Sequence, residues 1–152
     1  MNAIELLKTD HETVEALFQQ VESSDASEHP AIFEQINAEL QAHAHIEETI
    51  FYPSLQEEGS DELIEITSEA IQEHQQTKTF LGELSVASSD AEKFEPLLTK
   101  LIEDVRHHVK EEEGGMFPVV QKRLSTNALD VLGAQMEAEK KRFQSSAETI
   151  YG

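Results

Sequence analysis

A chain of 152 residues can bury one sizeable core, and its lack of cysteine excludes disulfides, thiolate metal sites, iron–sulfur clusters and a thiol nucleophile. Its 31 acidic and 11 basic residues give a formal charge of −20, which repels nucleic acid and anionic lipid and mainly describes a solvated helical surface. The start, MNAIELLKTDHETVEALF, has neither a basic leader nor an apolar anchor, and no run of 18 apolar residues occurs; a soluble cytoplasmic protein is expected, with no membrane or nucleic-acid partner.

The first predicted helix covers about 2–23, with apolar positions at Ile4, Leu7, Val14, Leu17, Phe18 and Val21. The polar stretch 24–29, including His29, reads as a loop. Pro30 suits the first position of a second helix that runs to about 56 through Ile36, Leu40 and Ile50. Gly59 is a helix stop, with Ser60 or Asp61 capping the next helix. That third helix extends to about 87 through Leu63, Thr67, Ala70, Thr77, Leu81 and Leu84. Residues 88–90 close it and cap a fourth, which carries Leu97, Leu98, Leu101, Ile102, Val105 and Val109. Pro53 and Pro118 are expected to end or kink the second and fourth helices, since proline lacks an N–H and crowds the preceding turn. Gly114 and Gly115 add to the expected break. A last segment, about 127–149, is helical with a thinner apolar stripe that includes Met136 and Phe143. It suits either packing on the bundle or self-association. Four long helices with short connections predict an all-α fold, an up-down-up-down four-helix bundle over 1–124 with a C-terminal helical extension at 125–152.

Polar residues interrupt these stripes in a repeated way. His43-x3-Glu47 and His108-x3-Glu112 are one motif occurring twice, 65 residues apart, each followed six residues later by a proline. His11 and His74, 63 apart, precede the two motifs by 32 and 34 residues. Residues four apart share a helix face at roughly 5–6 Å, so each motif can aim an imidazole and a carboxylate at one point. The seam positions 36, 40, 43, 47 and 50, and 98, 101, 105, 108 and 112, put both motifs inward. His74 falls in the stripe 63, 67, 70, 74, 77, 81, 84, and His11 lies between Leu7 and Val14. Buried carboxylates need compensation worth several kcal/mol, which cations supply directly. The alternatives are a metal-free His–Glu hydrogen-bond network and a buried pH switch. His45 lies about 200° from His43 and is expected to be exposed. His107 with Glu111 offers a second HxxxE register, which the repeat and the Leu101–Val105 seam disfavour. Glu48, Glu111 and Glu113 read as surface acids or as acceptors behind the ligands. Tyr52 reads as a partly buried aromatic near a helix end, with approach to an open metal position as the alternative.

With His11 in DHETVEALF, His43 and Glu47 in HAHIEETIFYP, His74 in EHQQTKTFL, and His108 and Glu112 in HVKEEEGGMFP, the chain resembles the hemerythrin-like proteins with an HHE cation-binding domain, over about residues 1–124. The resemblance implies a four-helix bundle around a non-haem di-iron centre with an oxo or hydroxo bridge. Each iron would take two histidines, with Glu47 and Glu112 bridging. Zinc or manganese could substitute on the same nitrogen and oxygen donors. One departure is Lys78, where oxygen-carrying hemerythrins have a further histidine. A set of six protein ligands implies open coordination positions and reactivity with dioxygen, peroxide or nitric oxide. A binding or sensing module and a redox enzyme (peroxidase, catalase-like or nitric-oxide-handling) are then the two functional readings.

Overall fold

Asn2 starts the molecule's first helix by a reciprocal cap. Its side chain accepts from the Glu5 N–H at 2.9 Å while the Glu5 carboxylate accepts from the Asn2 N–H at 3.3 Å. In the computed structural model, which describes residues 1–151 and the side chains of 1–146, five long helical stretches follow one another. Helix α1 is Ala3–Glu22. After a single 3-10 turn, Ala26–Glu28, helix α2 covers 29–58. His29 is thus the first residue of α2, not part of the predicted loop, and Pro30 sits in its first turn. Gly59, at φ 86°, ends α2 in the left-handed conformation that glycine adopts without a Cβ clash. The Ser60 side chain then accepts from the Leu63 N–H at 3.2 Å and opens α3, Asp61–Val86. Helix α4 covers 91–123 and α5 is Thr126–Tyr151; Gly152, the last residue of the predicted extension, lies outside the described residues. No helix among the described residues is long and apolar enough to cross a membrane.

The two prolines do not end their helices. In α2 and α4 a five-residue π turn, Glu47–Phe51 and Glu112–Met116, begins at the motif glutamate and hands over to α-helix just ahead of Pro53 and Pro118. The wider i→i+5 turn carries the backbone past the missing N–H and the crowded carbonyl that would otherwise break the ladder. Gly114 and Gly115 lie inside the second π turn rather than at a break.

The core has two apolar clusters with a polar layer between them. One gathers Leu7, Ile46, Ala70 and Met116, the other Val14, Leu40, Leu81 and Val105. His11, His43, His74 and His108 each fall between a member of the first cluster and a member of the second on their own helix. Helix α5 packs across α1 and α2, burying Leu129, Leu132 and Met136. Gly133 makes the approach possible. A Cβ there would stand 2.7 Å from the Asn2 carbonyl carbon and 2.8 Å from the Ala3 nitrogen, closer than real side chains come. This packing also overturns the expected exposure of His45. Its ring stacks on Phe143 at 4.4 Å and bonds Glu139 at 2.9 Å, because α5 covers the face of α2 turned away from the bundle axis.

Candidate metal centre

Four helices each contribute one imidazole to the polar layer, and all four turn Nε2 inward. His11 Nε2 lies 3.1 Å from Glu112 Oε1, and His108 Nε2 lies 3.3 Å from Glu112 Oε2. His43 Nε2 and His74 Nε2 stand 3.1 and 3.2 Å from the same oxygen, Glu47 Oε1. Each glutamate therefore faces two histidines from different helices. The donor atoms form two groups, His11–His43–Glu112 and Glu47–His74–His108, in each of which all lie within 4.8 Å of one another. Glu47 is fully buried and Glu112 is 2% exposed, while His108 is the least covered of the six.

Proximity here is not hydrogen bonding. Among the described residues, His11 Nε2, His43 Nε2, both Glu47 oxygens, both His108 nitrogens and Glu112 Oε1 have no aligned partner, although all are buried. Buried polar atoms are normally paired, and unpaired buried carboxylate oxygens cost several kcal/mol. Buried imidazole nitrogens and carboxylate oxygens that converge without aligned partners form a donor arrangement that suits cations.

Three of the four outward ring nitrogens are held by a ring of carboxylates, each lent by a neighbouring helix. Asp10 of α1 accepts from His43 Nδ1 of α2 at 2.9 Å. Glu48 of α2 accepts from His74 Nδ1 of α3 at 2.9 Å, and Glu113 of α4 accepts from His11 Nδ1 of α1 at 2.6 Å. The remaining pair, Glu73 of α3 and His108 Nδ1 of α4, stands at 3.6 Å, beyond a hydrogen bond. An acceptor on Nδ1 holds a proton there and turns Nε2 inward. Two lysines brace the ring: Lys140 Nζ donates to Asp10 at 2.6 Å and Lys78 Nζ to Glu48 at 2.8 Å. Lys78 therefore ends on an outer acid.

The charges hold one another. Burial works against a charged His74, yet the carboxylates of Glu47 and Glu48 beside its ring raise its pKa to about 9. His43 is likewise raised well above the ordinary value, against burial, by Glu47 and Asp10. Burial would also favour a neutral Glu47, but His43 and His74 keep it well below the usual carboxylate range. Tyr52 is fully rather than partly buried, and its hydroxyl donates to Glu112 Oε2 at 2.9 Å and lies 3.3 Å from His74 Nε2, as the alternative reading of this residue expects. Burial, followed by the charges of Glu112 and Glu47, pushes that phenol well up. The alternative register stays outside: His107 pairs with Glu111 at 2.9 Å with both side chains more than half exposed. A small cavity of about 40 Å³ touches all four inner histidines and is otherwise walled by Val14, Leu40, Leu81, Val105 and Val109 among others.

Sequence reasoning missed Asp10, Glu73 and Lys140. The first two had a signal, since each is the chain neighbour of an inward histidine.

The model of the hemerythrin HHE cation-binding domain matches residues 2–120. The chain belongs to this family. A crystal structure of an HHE cation-binding domain-containing protein from Mycobacterium kansasii superposes with a TM-score of 0.82 at 25% identity, over 98% of this chain and 91% of that one. A protein of Nostoc sp. named as a DNA nickase is 28% identical over 95% of this chain. An uncharacterised hemerythrin-like protein of Schizosaccharomyces pombe is 26% identical over 87%. The chain spans 40% and 66% of the lengths of these two curated relatives. Cation binding is the family's property, and the buried His and Glu groups here are candidates to carry it.

Proposed function

We propose that residues 1–124 form an HHE domain that holds two metal ions, in the first place iron, and that the pair binds or reacts with dioxygen, peroxide or nitric oxide in the cytoplasm. The observation that carries this reading is the set of buried, unpartnered Nε2 and carboxylate atoms converging from four helices. His11 and His43 would hold one ion, His74 and His108 the other. Glu112 suits a bridge because its two oxygens face His11 and His108 respectively, and Glu47 because one oxygen faces both His43 and His74. Iron would supply the capacity to bind a small oxidant or diatomic ligand and exchange electrons with it. The chain's own residues fix the surroundings: outer acids accept from Nδ1 of His11, His43 and His74, the Tyr52 hydroxyl donates to Glu112, and the cavity of about 40 Å³ suits a molecule of a few atoms.

Redox turnover is the second reading, favoured by the Tyr52 hydroxyl, a proton donor already hydrogen-bonded inside the centre. The nicking in the Nostoc relative's name is not carried over, because a charge of −20 opposes approach to phosphates. Elemental analysis of freshly purified protein with its absorption spectrum tests the reading. About two irons per chain with near-ultraviolet charge-transfer bands are expected. Zinc or manganese at the same stoichiometry would reassign the metal, and no bound metal after anaerobic iron loading would sink the proposal. Catalysed peroxide loss over many turnovers, abolished by Glu112→Ala, would decide for the enzyme; a spectrum that changes reversibly on deoxygenation would decide for binding.

A further inference from the structure

Helix α5 lies outside the four-helix bundle, yet one of its side chains reaches the ring of acids around the centre. Lys140 Nζ donates to Asp10 Oδ1 at 2.6 Å and to Glu39 Oε2 at 3.4 Å. The other oxygen of Asp10 accepts from His43 Nδ1 at 2.9 Å. Asp10 is 4% exposed, so this is not one of the solvent-screened surface pairs that contribute little. Packing, not a free search by a long side chain, sets the place of Lys140. Gly133 fits against the first residues of α1, Met136 is fully buried, and Phe143 stacks on His45.

Each Asp10 oxygen thus has one task. Without the lysine, Oδ1 would be a buried, unpaired charge, and the carboxylate would turn towards whatever donor or water it could reach. His43 would then lose the fixed acceptor that keeps its Nδ1 proton in place and its Nε2 inward.

We propose that Lys140 is a positioning residue for the metal centre: through Asp10 it fixes the tautomer and ring plane of His43, so that docking of α5 sets how firmly the His11–His43 half retains its ion. The inference rests on the metal-binding reading above. It makes the C-terminal helix part of the centre rather than an appendage.

The test uses the full chain loaded with zinc and challenged with excess chelator, release being followed by stopped flow. Lys140→Met should speed the release of one ion about tenfold to a hundredfold and leave the other within about twofold. Lys140→Arg should restore most of the retention. Asp10→Asn should act like Lys140→Met, and the double variant should be no faster than Asp10→Asn alone, as expected of one linked path. In the zinc-loaded protein the exchange-protected His43 Nδ1 proton, visible by NMR, should broaden in Lys140→Met, a change that a merely structural lysine would not cause. If Lys140→Met does not fold, Gly133→Ala, which lifts α5 with Lys140 intact, should give the same one-ion acceleration. Parent-like release of both ions with an unchanged His43 proton would overturn the inference. A parent chain that takes up no zinc or iron would overturn the metal reading instead, and the His43 proton in that chain would still report whether Lys140 and Asp10 hold the ring.

Discussion

In the His11–His43 half of the centre, both outer nitrogens meet carboxylates, at 2.6 and 2.9 Å, and both side chains are less than a tenth exposed. In the His74–His108 half, His74 is held at 2.9 Å, but His108 stands 3.6 Å from Glu73 with 14% of its side chain exposed. The inner geometry is nearly symmetric, as two copies of one HxxxE unit dictate. The outer support is not. It depends on which acid a neighbouring helix happens to present, and α5 covers only one side. Duplication of a motif thus yields equal donor sets without equal rigidity.

The largest effect should come from a residue that both halves share. Glu47→Ala removes the oxygen that faces His43 and His74 together, and should reduce metal content from about two ions per chain to less than about one by elemental analysis. Retention of both ions would show that the halves are held by something else.

Next comes the inequality itself. Chelator-driven release from the loaded parent should show two phases, the faster belonging to the His74–His108 half. Glu113→Gln, which disturbs the 2.6 Å support of His11, should accelerate the slow phase by about tenfold to a hundredfold, whereas Glu73→Gln should change the fast phase by less than about threefold. Equal responses would remove the distinction between the halves.

A stability effect should follow from the side that α5 covers. Gly133→Ala forces a Cβ into the backbone at the start of α1 and should cost about 1–3 kcal/mol in urea unfolding, the usual cost of overpacking. A neutral outcome would mean that α5 shifts freely, and the argument for its fixed register would fail.

The smallest effect concerns a histidine away from both halves. His29 Nδ1 bonds Glu95 at 2.7 Å while its Nε2 donates to the Val21 carbonyl at 2.8 Å, a pattern that favours the doubly protonated ring. Burial opposes that charge, but Glu95 and Val21 outweigh it, and the pKa lies above 6.5. With the folded value above the unfolded one, the stabilisation is complete below about pH 6.5 and fades as pH rises through the folded value. The stability difference between parent and His29→Gln should shrink over that window, and a pH-independent difference would refute the assignment.

The helices and the inward aim of six polar residues were legible because both follow from one periodicity, 3.6 residues per turn, applied to continuous stripes. What escaped that reasoning breaks the period or crosses between helices. Five residues beyond Glu47, an α-helix would turn Tyr52 about 140° away, but the π turn brings it back onto the inner face, where it meets Glu112. Asp10, Glu73 and Lys140 face groups on other helices, so the periodicity of one helix does not mark them, although Asp10 and Glu73 each adjoin an inward histidine in the chain. His45 was placed by reference to four helices, and the fifth covers it.

The most direct test of the central claim is a crystal structure of the iron-loaded chain with an anomalous-difference map at the iron edge. Two peaks are expected, one bound by Nε2 of His11 and His43 and the other by Nε2 of His74 and His108, with Glu47 and Glu112 reaching both. Peaks bound through Nδ1, peaks among the outer acids, or none between the four histidines would contradict the claim.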